Sequence, residues 1–317
     1  SIIIIRVVFL FSQITLMWMG SKNVFPYIIL YIISIGLALA YLLIKIHPEF
    51  STSKFNLQFG IKESMISMKL GISLMIANVC SLLILGVGRQ IVDMKWGLIS
   101  FGKVSFSLTL MNFALTFIMQ IGLVLFPALR RFSSDALKQY YNKLTIVLFN
   151  ILPLMYIAYL PAQYILGLWL PEYKESISFL ATVLPICYFD SKMNLIGNTF
   201  FKVLNKQVLL LRINVITIVL STVLGLIFAY IFNSMYLVII GMVVSIIFRS
   251  VFADTLLSRD IDISVNSLEI SDVILAIIFI LVSNFLDWKY ALIIIVLCYI
   301  IRLALIKLNI LKVTVND

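Results

Sequence analysis

Five polar residues, Ser105, Thr109, Asn112, Thr116 and Gln120, recur at intervals of four, three, four and four within an otherwise apolar stretch. At 100° of helix per residue they fall within about 80° of one another, which makes one continuous polar face. Lipid penalises such a face, so it must line a helix interface or a watered cavity. Serine and threonine suit either place. Asn112 and Gln120 bring amides with more hydrogen-bonding groups than a tight apolar interface satisfies, which favours the cavity.

A second row, Asp190, Asn194, Asn198 and Lys202, repeats strictly every four residues. If its helix begins near Ser176, a rise of 1.5 Å per residue puts Asp190 about 21 Å along it, inside the hydrocarbon. A buried acid marks an ion or substrate path, and proton or sodium coupling is the role it suggests. The alternative is a kink at Pro185 that carries Asp190 to the interface. Lys192 points about 200° away from Asp190 and is not its partner. Two further rows follow the same spacing: Arg6 with Gln13, and Arg212 with Asn214, Thr217 and Ser221. If the four rows converge, they enclose a polar cavity in which Arg6, Lys202 and Arg212 outnumber Asp190. Such a cavity suits an anionic, phosphate-bearing cargo. The competing reading is that these three basic residues reach out from helix ends to lipid headgroups. Arg89 and Asp93, just after Gly86-Val-Gly88, are spaced for an i, i+4 ion pair or for a gate at the outer mouth.

The elements that must position these rows are membrane spans. Hydrophobic residues make up 62% of the 317 and charged residues 12%, far from the soluble norm. From Ile213 to Phe248 there are 36 residues without a charge, too many for one crossing of a core about 30 Å thick and right for a hairpin turning at Asn233. Apolar runs predict ten helices, at 2–19, 24–44, 70–87, 104–126, 144–168, 176–200, 210–232, 235–253, 272–286 and 290–306. The fold class is therefore an all-α polytopic membrane protein. Residues 56–69 suit a short interfacial helix or a plain linker.

Alternate loops hold sixteen Lys and Arg on one side against six on the other, which places the basic side, with the C-terminus, in the cytoplasm. The chain begins at Ser1 and is apolar from Ile2, with no basic segment ahead, so an ordinary signal peptide is not expected and the N-terminus reads as truncated. Ten spans with a cytoplasmic C-terminus imply an even number of helices in any missing part. The net charge of +10 falls between apolar blocks, where anionic lipid attracts it, so no nucleic-acid partner is expected. Cys80, Cys187 and Cys298 stand singly in apolar segments without a Cys/His cluster, which supports neither disulfides nor a metal site. Gly-rich phosphate loops are missing too, and no cofactor is expected.

One stretch carries a resemblance. Residues 61–97, then Phe101-Gly102-Lys103-Val104-Ser105-Phe106 and Leu125-Phe126-Pro127-Ala128-Leu129-Arg130-Arg131, resemble the start of the second half of bacterial O-antigen and capsule polysaccharide flippases of the multidrug/oligosaccharidyl-lipid/polysaccharide exporter superfamily. Gly71, Asn78, Arg89, Gly97, Phe101, Gly102, Phe106, Pro127 and Arg130 carry it, and residues 194–207 are similar to the family's asparagine-containing segment before a cytoplasmic lysine.

The resemblance implies two six-helix lobes around a central cavity, from a whole of 12–14 helices. Residues 1–55 would then be the last helices of the first lobe, 56–253 the second lobe, and 254–317 an extra helix pair. It implies alternating access and a cargo of undecaprenyl-pyrophosphate-linked oligosaccharide, carried across the bacterial inner membrane toward the periplasm. Membrane lipids, a polysaccharide polymerase and a chain-length regulator are the implied partners. An ion-coupled multidrug exporter of the same superfamily and a membrane enzyme of polysaccharide assembly are the alternatives. The first would have an acidic, aromatic cavity, and the second a loop bearing an acid, base or nucleophile cluster.

Overall fold

A computed structural model of the chain describes residues 9–11, 13–16, 18, 25–50, 57–261, 263–264, 266–308 and 314–315. These are almost wholly helical. The elements are α1 (Phe25–Phe50), α2 (Leu57–Leu129), α3 (Ser134–Ile151), α4 (Leu154–Trp169), α5 (Lys174–Lys192), α6 (Asn198–Val203), α7 (Gln207–Leu226), α8 (Met235–Ile261), α9 (Asn266–Phe285) and α10 (Trp288–Lys307). Two strands, β1 (Ile263–Ser264) and β2 (Thr314–Val315), pair antiparallel. Among the described residues, seven helices are long and apolar enough to cross a membrane. The protein is accordingly membrane-embedded.

The chain divides into two compact units, Ser1–Ser67 and Met68–Asp317. Of the first unit, α1 is the main described element, with the Ser34 hydroxyl donating to the Tyr31 carbonyl at 2.7 Å. Arg6 lies outside the described residues. Gln13 is half-buried in the first unit.

In the second unit the long helix α2 is broken at Gly97, whose φ of 80° and ψ of 179° belong to a region open in practice to glycine alone. The segment Gly60–Leu129 has 70 residues, about 105 Å of helix if straight and far beyond one bilayer. Contacts show that it folds back. Before Gly97, arm one runs alongside α7 in the same direction: Asn214 donates to the Ala77 carbonyl at 2.8 Å and Ser221 to the Ile84 carbonyl at 2.9 Å. After Gly97, arm two runs in the same direction as α5: Ser107 donates to the Ser176 carbonyl at 2.6 Å, and Gly122 faces the Asn194 carbonyl. Helices α5 and α8 are parallel, through Thr182 to Tyr236 and Asp190 to Arg249, whereas α7 and α8 form a hairpin turning at Asn233 (φ 48°). Arm one and arm two are therefore antiparallel.

The remaining rods alternate in the same way. Tyr159 on α4 donates to the Ile177 carbonyl and Tyr156 stacks on Tyr188, which sets α4 against α5. Tyr299 on α10 donates to the Asn150 carbonyl, and Tyr164 stacks on Trp288. Residues 130–133, 204–206 and 263–264 thus lie at one end of the bundle, and Gly97, 170–173, 232–234 and 286–287 at the other. Helix α5 is the axis: Leu180 through Phe189 are all buried, so the helix is enclosed on every side and apolar all round.

Two helix ends run past their expected positions. Helix α8 continues to Ile261 rather than 253, and α9 begins at Asn266 rather than 272. The charge at Asp254, which looks like loop chemistry by hydropathy, lies inside a helix with Lys192 as its partner, and Glu269 lies inside α9.

Candidate functional site

Helix α5 ends in a π-turn, Met193–Gly197, before α6 resumes. The Thr199 hydroxyl donates to the Asn194 carbonyl five residues back, at 3.0 Å, which stabilises the wide turn. The Asn198 amide donates to the Asn194 side-chain oxygen at 2.7 Å, so two members of the four-residue row form one unit. Asp190, one turn before the π-turn, accepts from Arg249 Nη1 at 3.2 Å. The arginine side chain is 1% exposed and the acid 16%. Asp190 is 16 residues into α5, about 24 Å of helix from its start, with Pro185 inside the same helix. Lys202 is half-buried at the far end, where desolvation pulls its ammonium below the ordinary lysine range.

The row on arm two lies on the outside of this unit. Thr109, Asn112, Thr116 and Gln120 are exposed and Ser105 is half-buried. Thr109 and Thr116 donate to carbonyls four residues back at 2.8 and 2.9 Å, and Gln120 Nε2 donates to the Thr116 carbonyl at 3.4 Å, which leaves the Asn112 amide and the Gln120 side-chain oxygen on an exposed helix surface. The α7 row behaves otherwise. Asn214, Thr217 and Ser221 are buried, and two of them bond to arm one, so they serve as packing contacts. Arg212 is exposed at the start of the same helix. Arg89 and Asp93 are both half-buried, and among the described residues no ion pair joins them.

A larger charged cluster joins α5, α8, α9 and α10. Lys192 Nζ lies 2.7 Å from Asp254 and 3.4 Å from Asp272. Asp272 also pairs with Arg302 and accepts from the Tyr188 hydroxyl at 2.5 Å. The Arg302 guanidinium sits 3.3 Å from the centre of the Phe149 ring, a cation–π contact. Glu269, one turn into α9, is buried beside Asp254. Of these five charges only Lys192 is weighed from sequence, where it is set aside as no partner of Asp190, and Arg302, like Arg249, falls among the sixteen basic residues of the alternate loops. Fourteen of the sixteen remain on the basic side once these two are set apart. Part of the signal was present: Arg249 and Arg302 each stand alone in an apolar run, and charges inside a membrane occur in pairs.

Ion pairs also fasten the two ends of the bundle, Lys103 to Glu175 at one and Lys206 to Asp260, at 2.5 Å, at the other. No protein-family model matches the chain, nor does any curated protein or solved structure.

Proposed function

We propose that the chain is a lipid-linked oligosaccharide flippase that moves undecaprenyl-pyrophosphate-linked O-antigen or capsule repeat units from the cytoplasmic to the periplasmic leaflet of a bacterial inner membrane. The observation that carries this reading is the exposed row Thr109, Asn112, Thr116 and Gln120 on a helix otherwise built for lipid. Acyl chains offer those amides no hydrogen bonds, so the face requires water, cargo or a polar partner surface. Asp190, Asn194, Asn198 and Lys202, all half-buried, give a second polar row of the same length.

On this reading the chain has about ten crossings, the end of the bundle with residues 130–133 and 204–206 is cytoplasmic, and a proton or sodium ion drives alternating access. A flippase needs no catalytic dyad, only a shielded polar path for sugar and pyrophosphate while the lipid tail stays in the bilayer. Lys202 and Arg212 would meet the pyrophosphate as it enters. The pairing of Asp190 with Arg249 favours this cargo over cationic drugs, because it cancels the acid that a cation would need.

Disrupting the gene should abolish surface polysaccharide and leave lipid-linked repeat units in the cytoplasmic leaflet, with both effects reversed by the intact gene. Unchanged surface polysaccharide and no trapped intermediate would contradict the assignment.

A further inference from the structure

The charged cluster between α5, α8, α9 and α10 does not balance. Among the described residues, Asp254, Glu269 and Asp272 supply three negative charges, and Lys192 and Arg302 supply two positive ones. All five residues are buried, and an uncompensated charge in such surroundings is strongly disfavoured. One further positive charge makes the cluster neutral. The place for it is fixed by geometry. Asp272 is fully engaged by Arg302, Tyr188 and Lys192. Asp254 has Lys192 on one side and the Glu269 carboxyl within hydrogen-bonding reach on the other. Two carboxyls can hydrogen-bond to each other only when one of them carries a proton.

A metal ion does not fit the same space, because the Lys192 ammonium already stands between Asp254 and Asp272. Among the described residues Glu269 Oε1 is buried without a hydrogen-bonding partner, and the residue is 4% exposed. It also lines a groove of about 440 Å³ between α8 and α9, with Val251, Thr255, Ile270, Val273 and Ile274. Glu269 is three residues from the start of α9, about 5 Å along the helix from the basic end of the bundle. The acid is thus enclosed by protein yet close to water.

We propose that Glu269 and Asp254 form a proton-binding site in which the two carboxyls share one exchangeable proton, taken from and returned to water at the basic end. The groups that face it are Lys192 and Tyr188 from α5, Tyr141 from α3, Asp272 from α9 itself and Arg302 from α10. Proton loss leaves the cluster with one net negative charge, held between α8 and α9 and near Lys192. Repulsion between the two carboxylates then acts to part α9 from α8. This site is separate from the Asp190 and Arg249 pair and does not depend on the identity of the cargo.

The test uses the intact chain in lipid vesicles. Dicyclohexylcarbodiimide, an apolar reagent that reacts with protonated carboxyls, is applied across a pH series and the modified residue is located by peptide mass spectrometry. Infrared spectra of the same samples report the carbonyl band of a protonated acid. The expected result is modification at Glu269 or Asp254 that is lost as pH rises, together with a carbonyl band that disappears in Glu269→Gln. If that variant fails to fold, the position of the label in the unaltered protein decides alone. Absence of label at both acids while other carboxyls react, or a carbonyl band unchanged in folded Glu269→Gln, would overturn the proposal. Neither readout requires transport, so a failed flippase assignment and a failed proton site give different results.

Discussion

Asp190 and Arg249 meet at 3.2 Å across the α5 and α8 interface, and the two partners are unequally buried, the acid 16% exposed and the arginine 1%. That asymmetry predicts unequal mutants. An arginine cannot shed its charge, whereas an orphaned carboxyl can take up a proton. Asp190→Leu should therefore lose about 3–5 kcal/mol, the usual cost of stranding a buried charge. Arg249→Met should lose clearly less, and Asp190→Asn should fall between them because it keeps an acceptor. Unfolding in a mixed-detergent series measures the order. Equal losses for Asp190→Leu and Arg249→Met would contradict it.

Gly97 gives a prediction from backbone alone. No atom stands within 4 Å of an added Cβ there, so only the positive φ opposes a side chain. Gly97→Val should cost about 1–3 kcal/mol from that strain. Gly86→Ala, at an ordinary helical position with the same open space, should cost nothing measurable by the same detergent series.

The α7 row predicts a stability effect without a transport effect of its own. Asn214→Leu removes the donor to the Ala77 carbonyl and should lower stability by about 1 kcal/mol, the scale of interhelical hydrogen bonds in membranes. Arg212→Ala, exposed two residues earlier, should leave stability unchanged and lower surface polysaccharide at matched expression. A stable Asn214→Leu protein would show that the α7 row does not hold arm one.

Much of the framework was legible in the sequence because span length and apolarity are local properties. The hairpin at Asn233 follows from 36 uncharged residues, and the reversal at Gly97 falls in the break expected between 87 and 104. What each polar row meets was not legible. Periodicity shows that Asn214, Thr217 and Ser221 share a face, but only tertiary contact shows that the face binds arm one's carbonyls. The ends of α8 and α9 were misplaced for a related reason. Asp254 reads as a loop residue until Lys192, 62 positions earlier, is seen to neutralise it. Lys192 itself was set aside because it could not reach Asp190, and its position on the opposite face is what brings it to α8 and α9.

The central claim is that the arm two row faces water and not lipid, and cysteine accessibility tests it most directly. In a background with Cys80, Cys187 and Cys298 replaced, single cysteines at Asn112, Thr116 and Gln120 are compared with cysteines at the neighbouring Phe113 and Phe117, which are 68% and 64% exposed. A charged, membrane-impermeant thiol reagent should modify the first three and spare the two phenylalanine positions, because adjacent residues lie 100° apart on the helix. Equal protection of all five positions would put the polar row against lipid or dry protein and contradict the account.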